Sequence, residues 1–366
     1  VSVSAQTAKP AADDPAPPAQ AAPAPQPGGI QSQNIFQIKP EASTDPKSAG
    51  QTNAERGKVQ PGNNAPKWRD VQKGLAGYSS LPAREAGVLI QTSGEWWRQM
   101  RNGPITQWGG WALVVVLLLI GAFYKYRGKI TLDEPVTGRK IERFTPTERL
   151  AHWSVAISFS ILAISGLVML FGRYIIQPVI GSALFGWLTY ALKNLHNFVG
   201  PVFAVALVFV FVKFVKDNFP RKGDLAWLLK GGGLLSGKHV SSHRFNAGEK
   251  VWFWLGVFVL GIVVTGSGFV LNMLVPGFDY TRGNMQWAHI IHAAVTLVMM
   301  AFAMGHIYIG TAGTEGAYQG MRTGYVDEAW AKQHHDEWYD DVKAGKIPAH
   351  RSPAGTSEVH ATPVKV

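Results

Sequence analysis

The chain has 366 residues, 46% of them hydrophobic, a formal net charge of +11 and no cysteine. Without thiolates it cannot ligate an iron–sulfur cluster through Cys, attach a c-type haem covalently or form a disulfide. Its positive charge gathers in loops between apolar runs, and no basic segment is interleaved with aromatic residues, which excludes a surface built for nucleic acid.

Residues 1–66 are rich in Pro, Ala, Gln and Asn and poor in aromatics, the composition of a disordered segment. They open VSVSA before Gln6, which is similar to the small-residue end of a signal peptide, so residues 1–5 are expected to be a remnant of one. Residues 67–107 place Trp68, Tyr78, Trp96 and Trp97 around short apolar runs, and this exported segment is expected to dock a partner or to tether beside the membrane.

Five apolar runs follow, at 108–124, 152–171, 196–215, 251–271 and 287–310, none with Asp or Glu inside and each long enough for a helix across a bilayer. Loop 125–151 carries Lys125, Arg127, Lys129, Arg139, Lys140, Arg143 and Arg149, and loop 216–250 carries Lys216, Arg221, Lys222, Lys230, Lys238, Arg244 and Lys250. The intervening loops 172–195 and 272–286 hold only Arg173, Lys193 and Arg282. The charge bias puts the two basic loops and the tail 316–366 in the cytoplasm and the N-terminus outside.

Within these runs the histidines are the informative residues, because ionisable groups at membrane depth are rare and functional. His292 and His306 share the run WAHIIHAAVTLVMMAFAMGHIYIG. Fourteen residues climb about 21 Å and return to within about 40° of the starting azimuth, so both imidazoles face one side, one near each edge of the layer. His196 opens the third run at the outer level and His152 opens the second at the inner level. Depth therefore pairs His196 with His292 and His152 with His306, two bis-histidine sites suited to two non-covalent haems in a bundle of the last four spans. His289 competes for the outer site but is rotated about 100° off the His306 face. It suits a hydrogen bond to a propionate or a lipid headgroup, or a plain interfacial position. Gly166, Gly200, Gly261, Gly266, Gly268 and Gly305 allow close helix approach or room for a flat macrocycle. His239, His243, His334 and His335 fall in inner loops and the tail, where solvated surface is the expected role and proton relay the alternative.

RFTPTERLAHW, NLHNFVG, NFPRKGDLAWL, RFNAGEKVWFW, IIHAAV, GHIYIG and TEGAYQGMRTGYVDEAWAKQHHDEWY, between about Arg143 and Ile347, resemble the cytochrome b (gamma) subunits of respiratory formate dehydrogenases. The resemblance implies an all-α integral membrane protein. Its four-helix dihaem cytochrome b domain spans 140–315, with the same histidine pairs as axial ligands. It implies a chain with no formate-oxidising site, held to an iron–sulfur (beta) subunit and a molybdenum or tungsten catalytic (alpha) subunit, and passing electrons to a quinone, menaquinone or ubiquinone, near the cytoplasmic side of the inner membrane. It also implies Asn246 and Gly248 as quinone contacts. The residues themselves offer a second role, Asn246 as N-cap of the fourth span with Glu249 completing a capping box. Related subunits serve nickel–iron hydrogenases and thiosulfate or polysulfide reductases, which the histidines alone do not separate. A non-redox membrane anchor is the third reading. The first span, 108–124, departs from the four-span pattern of the shortest family members.

Overall fold

The computed structural model describes residues 65–353 other than 79–84, 86, 92, 235 and 238. The expected Pro/Ala-rich segment, with its signal-peptide-like start, lies outside the described residues except for Ala65 and Pro66, which open the helix Ala65–Gln72.

Five long helices organise the rest: α1 Gly94–Arg127, α2 Pro146–Ile175, α3 Gln177–Asn218, α4 Ala247–Leu271 and α5 Arg282–Gly313. The described residues are thus mostly helical, and the spans satisfy their own backbone groups, as a hydrocarbon environment requires. Leu118, Ile164, Val205 and Val208 stay exposed on their outer faces, as lipid-facing residues do. Three of the helices begin where local chemistry dictates. Thr145 caps α2 with Glu148 completing the box and Pro146 at the first helical position. Asn246 and Glu249 do the same for α4, and Thr281 accepts from the Asn284 amide at the start of α5.

Phe203, Leu207, Val210 and Phe214 of α3 interlock with Phe253 and Val257 of α4, Met299 of α5 and Ala151 of α2. Glycines set the closest approaches: a Cβ on Gly261 would sit 2.8 Å from Leu207, and one on Gly109 of α1 would sit 2.4 Å from Leu297 of α5.

Two expected boundaries move. The first span begins at Gly94 rather than Trp108, because Arg98, Arg101 and Pro104, which read as pre-membrane loop, continue the helix through a widened turn at Arg101–Trp108. Its start packs on α5, Trp96 against Trp287 with ring centroids 4.9 Å apart, while Glu85 accepts from the Arg282 amide at 2.6 Å. The other change is that 172–195, expected as a loop, is helical from Gln177. Leu184, Phe185, Trp187, Leu188 and Tyr190 sustain α3, broken only at Gly181 with φ 79°. At 42 residues, α3 is about twice the roughly 20 needed to cross a bilayer.

The tail is folded as well. Strand β1, Lys140–Glu142, pairs antiparallel with β2, Tyr325–Asp327. Around them α6 (Ala317–Thr323), α7 (Glu328–His334) and α8 (Asp336–Lys343) bury Ile141, Val326, Trp330 and Trp338. Arg143 and Arg244 join this layer to the bundle: Arg143 pairs with Glu249 at 2.8 Å, and Arg244 with Glu148 at 2.7 Å and with Asp217. His335, expected on a solvated surface, is only 1% exposed and donates Nδ1–H to the His243 carbonyl at 2.7 Å. Burial pushes its neighbour His334 down to about 4.

Candidate functional site: two facing histidine pairs

α5 carries one histidine of each pair. At one end the rings of His196 on α3 and His292 stand with centroids 6.2 Å apart at an interplanar angle of 74°. At the end bordered by the basic loops, His152 on α2 and His306 stand at the same 6.2 Å and 54°. Two imidazole nitrogens each about 2 Å from one first-row metal, with ring centres about 1 Å further back, give a separation of roughly 6 Å. Both pairs have that spacing without a hydrogen bond between their rings. Among the described residues no three His, Cys, Asp or Glu side chains group as a metal site. The pairs therefore suit a metal that needs only two protein ligands, as iron already held by a macrocycle does.

Hydrogen bonding fixes which nitrogen is available at the first end. Ser165 spends its single hydrogen on the Ile161 carbonyl at 2.7 Å and so accepts from His196 Nδ1 at 2.8 Å. Ser267 donates to the Val263 carbonyl at 2.6 Å and lies 3.1 Å from His292 Nδ1, which also reaches the Val264 carbonyl at 3.0 Å. A carbonyl only accepts, so His292 carries its hydrogen on Nδ1. Both rings keep the Nε2 lone pair for a ligand, the arrangement by which metal-binding histidines are oriented. A glycine follows each serine: a Cβ on Gly268 would come within 3.2 Å of the His292 ring, and one on Gly166 within 3.7 Å of the His196 ring. The serines did not emerge from the histidine pattern, although the signal was there in two Ser-Gly pairs, ISGLVML and GSGFVLN, on the second and fourth spans.

Aromatic packing positions the other end. Trp252 stacks on His306 with centroids 5.2 Å apart and planes 17° apart, and Trp153 meets His152 edge-on at 5.3 Å. His152 Nδ1 is buried and has no protein partner, a second sign that these rings were shaped around something other than each other.

Asn246 and Gly248 lie at this end but have structural duties. Asn246 Oδ1 accepts from Glu249 N at 3.0 Å, and Glu249 Oε2 accepts from Asn246 N at 2.9 Å. Gly248 makes room for Trp227, whose ring would lie 3.0 Å from a Cβ there. The Asn246 Nδ2 hydrogens remain uncommitted among the described residues. His289 stays out of both pairs, its ring 5.7 Å from that of Trp97.

The family described as prokaryotic cytochrome b561 matches residues 143–324. The cytochrome b556(Fdn) subunit of the nitrate-inducible formate dehydrogenase of Escherichia coli K12 is 30% identical over 205 residues, covering 54% of this chain and 88% of that protein. The cytochrome b556(fdo) formate dehydrogenase subunit of the same strain is 28% identical over 206 residues, 56% of this chain and 93% of the relative. The corresponding Haemophilus influenzae subunit is 25% identical over 219 residues, 57% and 86%. All four histidines fall inside the family match and α1 falls outside it. With its five apolar helices this is a multi-pass bacterial inner-membrane protein, and the chain belongs to the cytochrome b subunit family of formate dehydrogenases.

Proposed function

We propose that the chain is the dihaem quinone-reducing subunit of a formate dehydrogenase complex, with His196 and His292 holding an outer haem b and His152 and His306 an inner one. The observation that carries this reading is the pair of equal 6.2 Å ring separations at opposite ends of α5. Haem b, when bound, supplies one-electron transfer at each level. The residues supply the rest. His292 and His306, about 21 Å apart along one helix, fix two levels on a single rigid element. Ser165 and Ser267 hold the outer imidazoles in the tautomer that leaves Nε2 free.

The Lys and Arg of loops 125–151 and 216–250 support a cytoplasmic position for the His152–His306 end, and with it the tail. The iron–sulfur and catalytic subunits would dock at the opposite, outer end, where the start of α1 and the projecting part of α3 lie. At the inner end Asn246 Nδ2 offers a quinone carbonyl a neutral donor while its Oδ1 caps α4. Quinone reduction takes up two protons, and Glu249 and His334 lie on the side from which they would enter.

The test is a reduced-minus-oxidised spectrum with pyridine haemochrome quantitation on the purified chain. Two b-type haems are expected, with His292→Ala and His306→Ala each removing or converting one; no haem in the wild type overturns the reading. Asn246→Ser keeps a capping box and loses the amide donor, so it should slow quinone reduction with both haems in place. Unchanged quinone turnover would remove Asn246 from that role.

A further inference from the structure

Resting on the reading of a haem between His196 and His292, we propose that α1, which lies outside the family match, supplies a carboxylate-holding corner for it: Trp97 and Arg101 of α1, with His289 of α5, hold a propionate of the outer haem.

The corner is marked by polar atoms left over. Among the described residues, Trp97 Nε1 and His289 Nδ1 are buried without a hydrogen-bond partner, as are Gln91 Oε1 and Gln286 Oε1 close by in sequence. Buried polar atoms are ordinarily paired, so a group of orphans at one place points to a missing acceptor or donor. An indole nitrogen only donates, so Trp97 needs an acceptor. The Trp97 and His289 rings meet edge to face at 5.7 Å, bringing the two nitrogens into one neighbourhood.

Arg101 adds charge. It lies four residues after Trp97, on the same face of α1, and close enough to His289 for their charges to interact. Among the described residues its guanidinium bonds only the Asn102 side-chain amide, at 3.0 Å. It also lines a cavity of about 460 Å³ with Arg173 and Lys193, and no Asp or Glu lines that cavity. Trp97 and His289 do not line that cavity, but Arg101 brings to their side of α1 a cation that makes no ion pair among the described residues.

Position selects the anion. His289 lies three residues, about 4.5 Å along the axis, outward of His292. A macrocycle held at His292 keeps its apolar ring in the hydrocarbon and directs its two carboxylates toward the polar surface, which is where Trp97, Arg101 and His289 wait. The phosphate of an anionic lipid shares that chemistry and is separated from a propionate by experiment.

The experiment is a potentiometric titration of both haems in the full chain, in phosphatidylcholine nanodiscs, with the outer haem assigned by comparison with His292→Ala. Arg101→Gln should shift the ferrous-to-ferric ratio of the outer haem about tenfold toward ferric, 59 mV for a one-electron couple, because an uncompensated carboxylate stabilises the more positive iron. Trp97→Phe should shift it the same way by less, Arg101→Lys should restore most of the ratio, and the inner haem should not move. An unmoved outer haem in both Arg101→Gln and Trp97→Phe, each retaining two haems, overturns the proposal. So does a wild-type potential that changes when phosphatidylglycerol replaces phosphatidylcholine and stops changing in Arg101→Gln, which assigns the corner to lipid phosphate. A wild-type chain without haem fails the underlying reading instead, and haem content shows which of the two has failed.

Discussion

The two ends of α5 reach the same ring separation by different means. At the His196–His292 end each imidazole is tethered through Nδ1, by Ser165 on one side and by Ser267 with the Val264 carbonyl on the other, and a glycine beside each serine leaves space for the ring. At the His152–His306 end Trp153 and Trp252 position the rings through their faces and edges, and His152 Nδ1 has no partner. Donation from Nδ1 raises the basicity of a ligating imidazole, whereas aromatic packing fixes orientation without doing so. A group bound at each end would meet different surroundings although the ring separations are alike.

That comparison breaks most visibly at the serines. Ser165→Ala and Ser267→Ala each remove an acceptor from a buried imidazole, and loss of such a partner typically costs about 10–100-fold in metal affinity. Haem retention at the outer site should fall by that order while the inner haem stays, as read by haem content after detergent dilution; equal loss at both ends would show that the serines act on the bundle as a whole. The glycines sharpen the same contrast with a graded effect. Gly268→Ala puts a methyl 3.2 Å from the His292 ring and must turn or shift it, whereas Gly166→Ala makes an ordinary contact at 3.7 Å. A perturbed outer-haem spectrum in Gly268→Ala and a near-normal one in Gly166→Ala is expected.

Legibility in the sequence follows the same division. Helix period and membrane depth are one-dimensional properties, so the positions of His152, His196, His292 and His306 could be read from spacing alone. Ser165 and Ser267 could not be read in that way, since a serine in an apolar helix ordinarily bonds the carbonyl four residues back. Both do so here as well, and only the neighbouring helix reveals the second bond. Residues 172–195, expected as a loop between apolar runs, are helical from Gln177, and on a helix longer than the membrane is thick polar residues such as Lys193 need only face water. Asn246 was legible in two roles, and the capping box is the one its hydrogen bonds display. The burial of His335 rests on contacts with Ser242 and His243, more than 90 residues back in the chain, which no local pattern announces.

The tail offers a smaller test, by pH. An unfolded histidine binds a proton below about 6.5, whereas folded His334 does so only near 4, because burial disfavours its charge; burial also holds His335 well below its ordinary value. Between those values the unfolded tail holds more protons than the docked one, so docking weakens as pH falls through the window. Asp336, held below the usual carboxylate range by the Ser241 hydroxyl and the Ser242 amide, acts in the same direction. The protection factors of amides 325–343, that is, exchange rates divided into the intrinsic rate at each pH, should fall from pH 6.5 toward 4 while those of α5 hold, and protection factors flat across the window would contradict the burial of the pair.

The smallest expected effect separates two roles of one residue. Asn246→Ala deletes the side chain that accepts from Glu249 N and should cost about 1 kcal/mol of helix stability, seen as a lowered unfolding temperature. Asn246→Ser retains the cap and should unfold close to the wild type. If both variants unfold early, the amide nitrogen itself supports the fold. If only alanine does, any loss of quinone turnover in Asn246→Ser reports the Nδ2 donor, and the inner end is then distinguished from the outer by a hydrogen-bond donor that its cap leaves uncommitted.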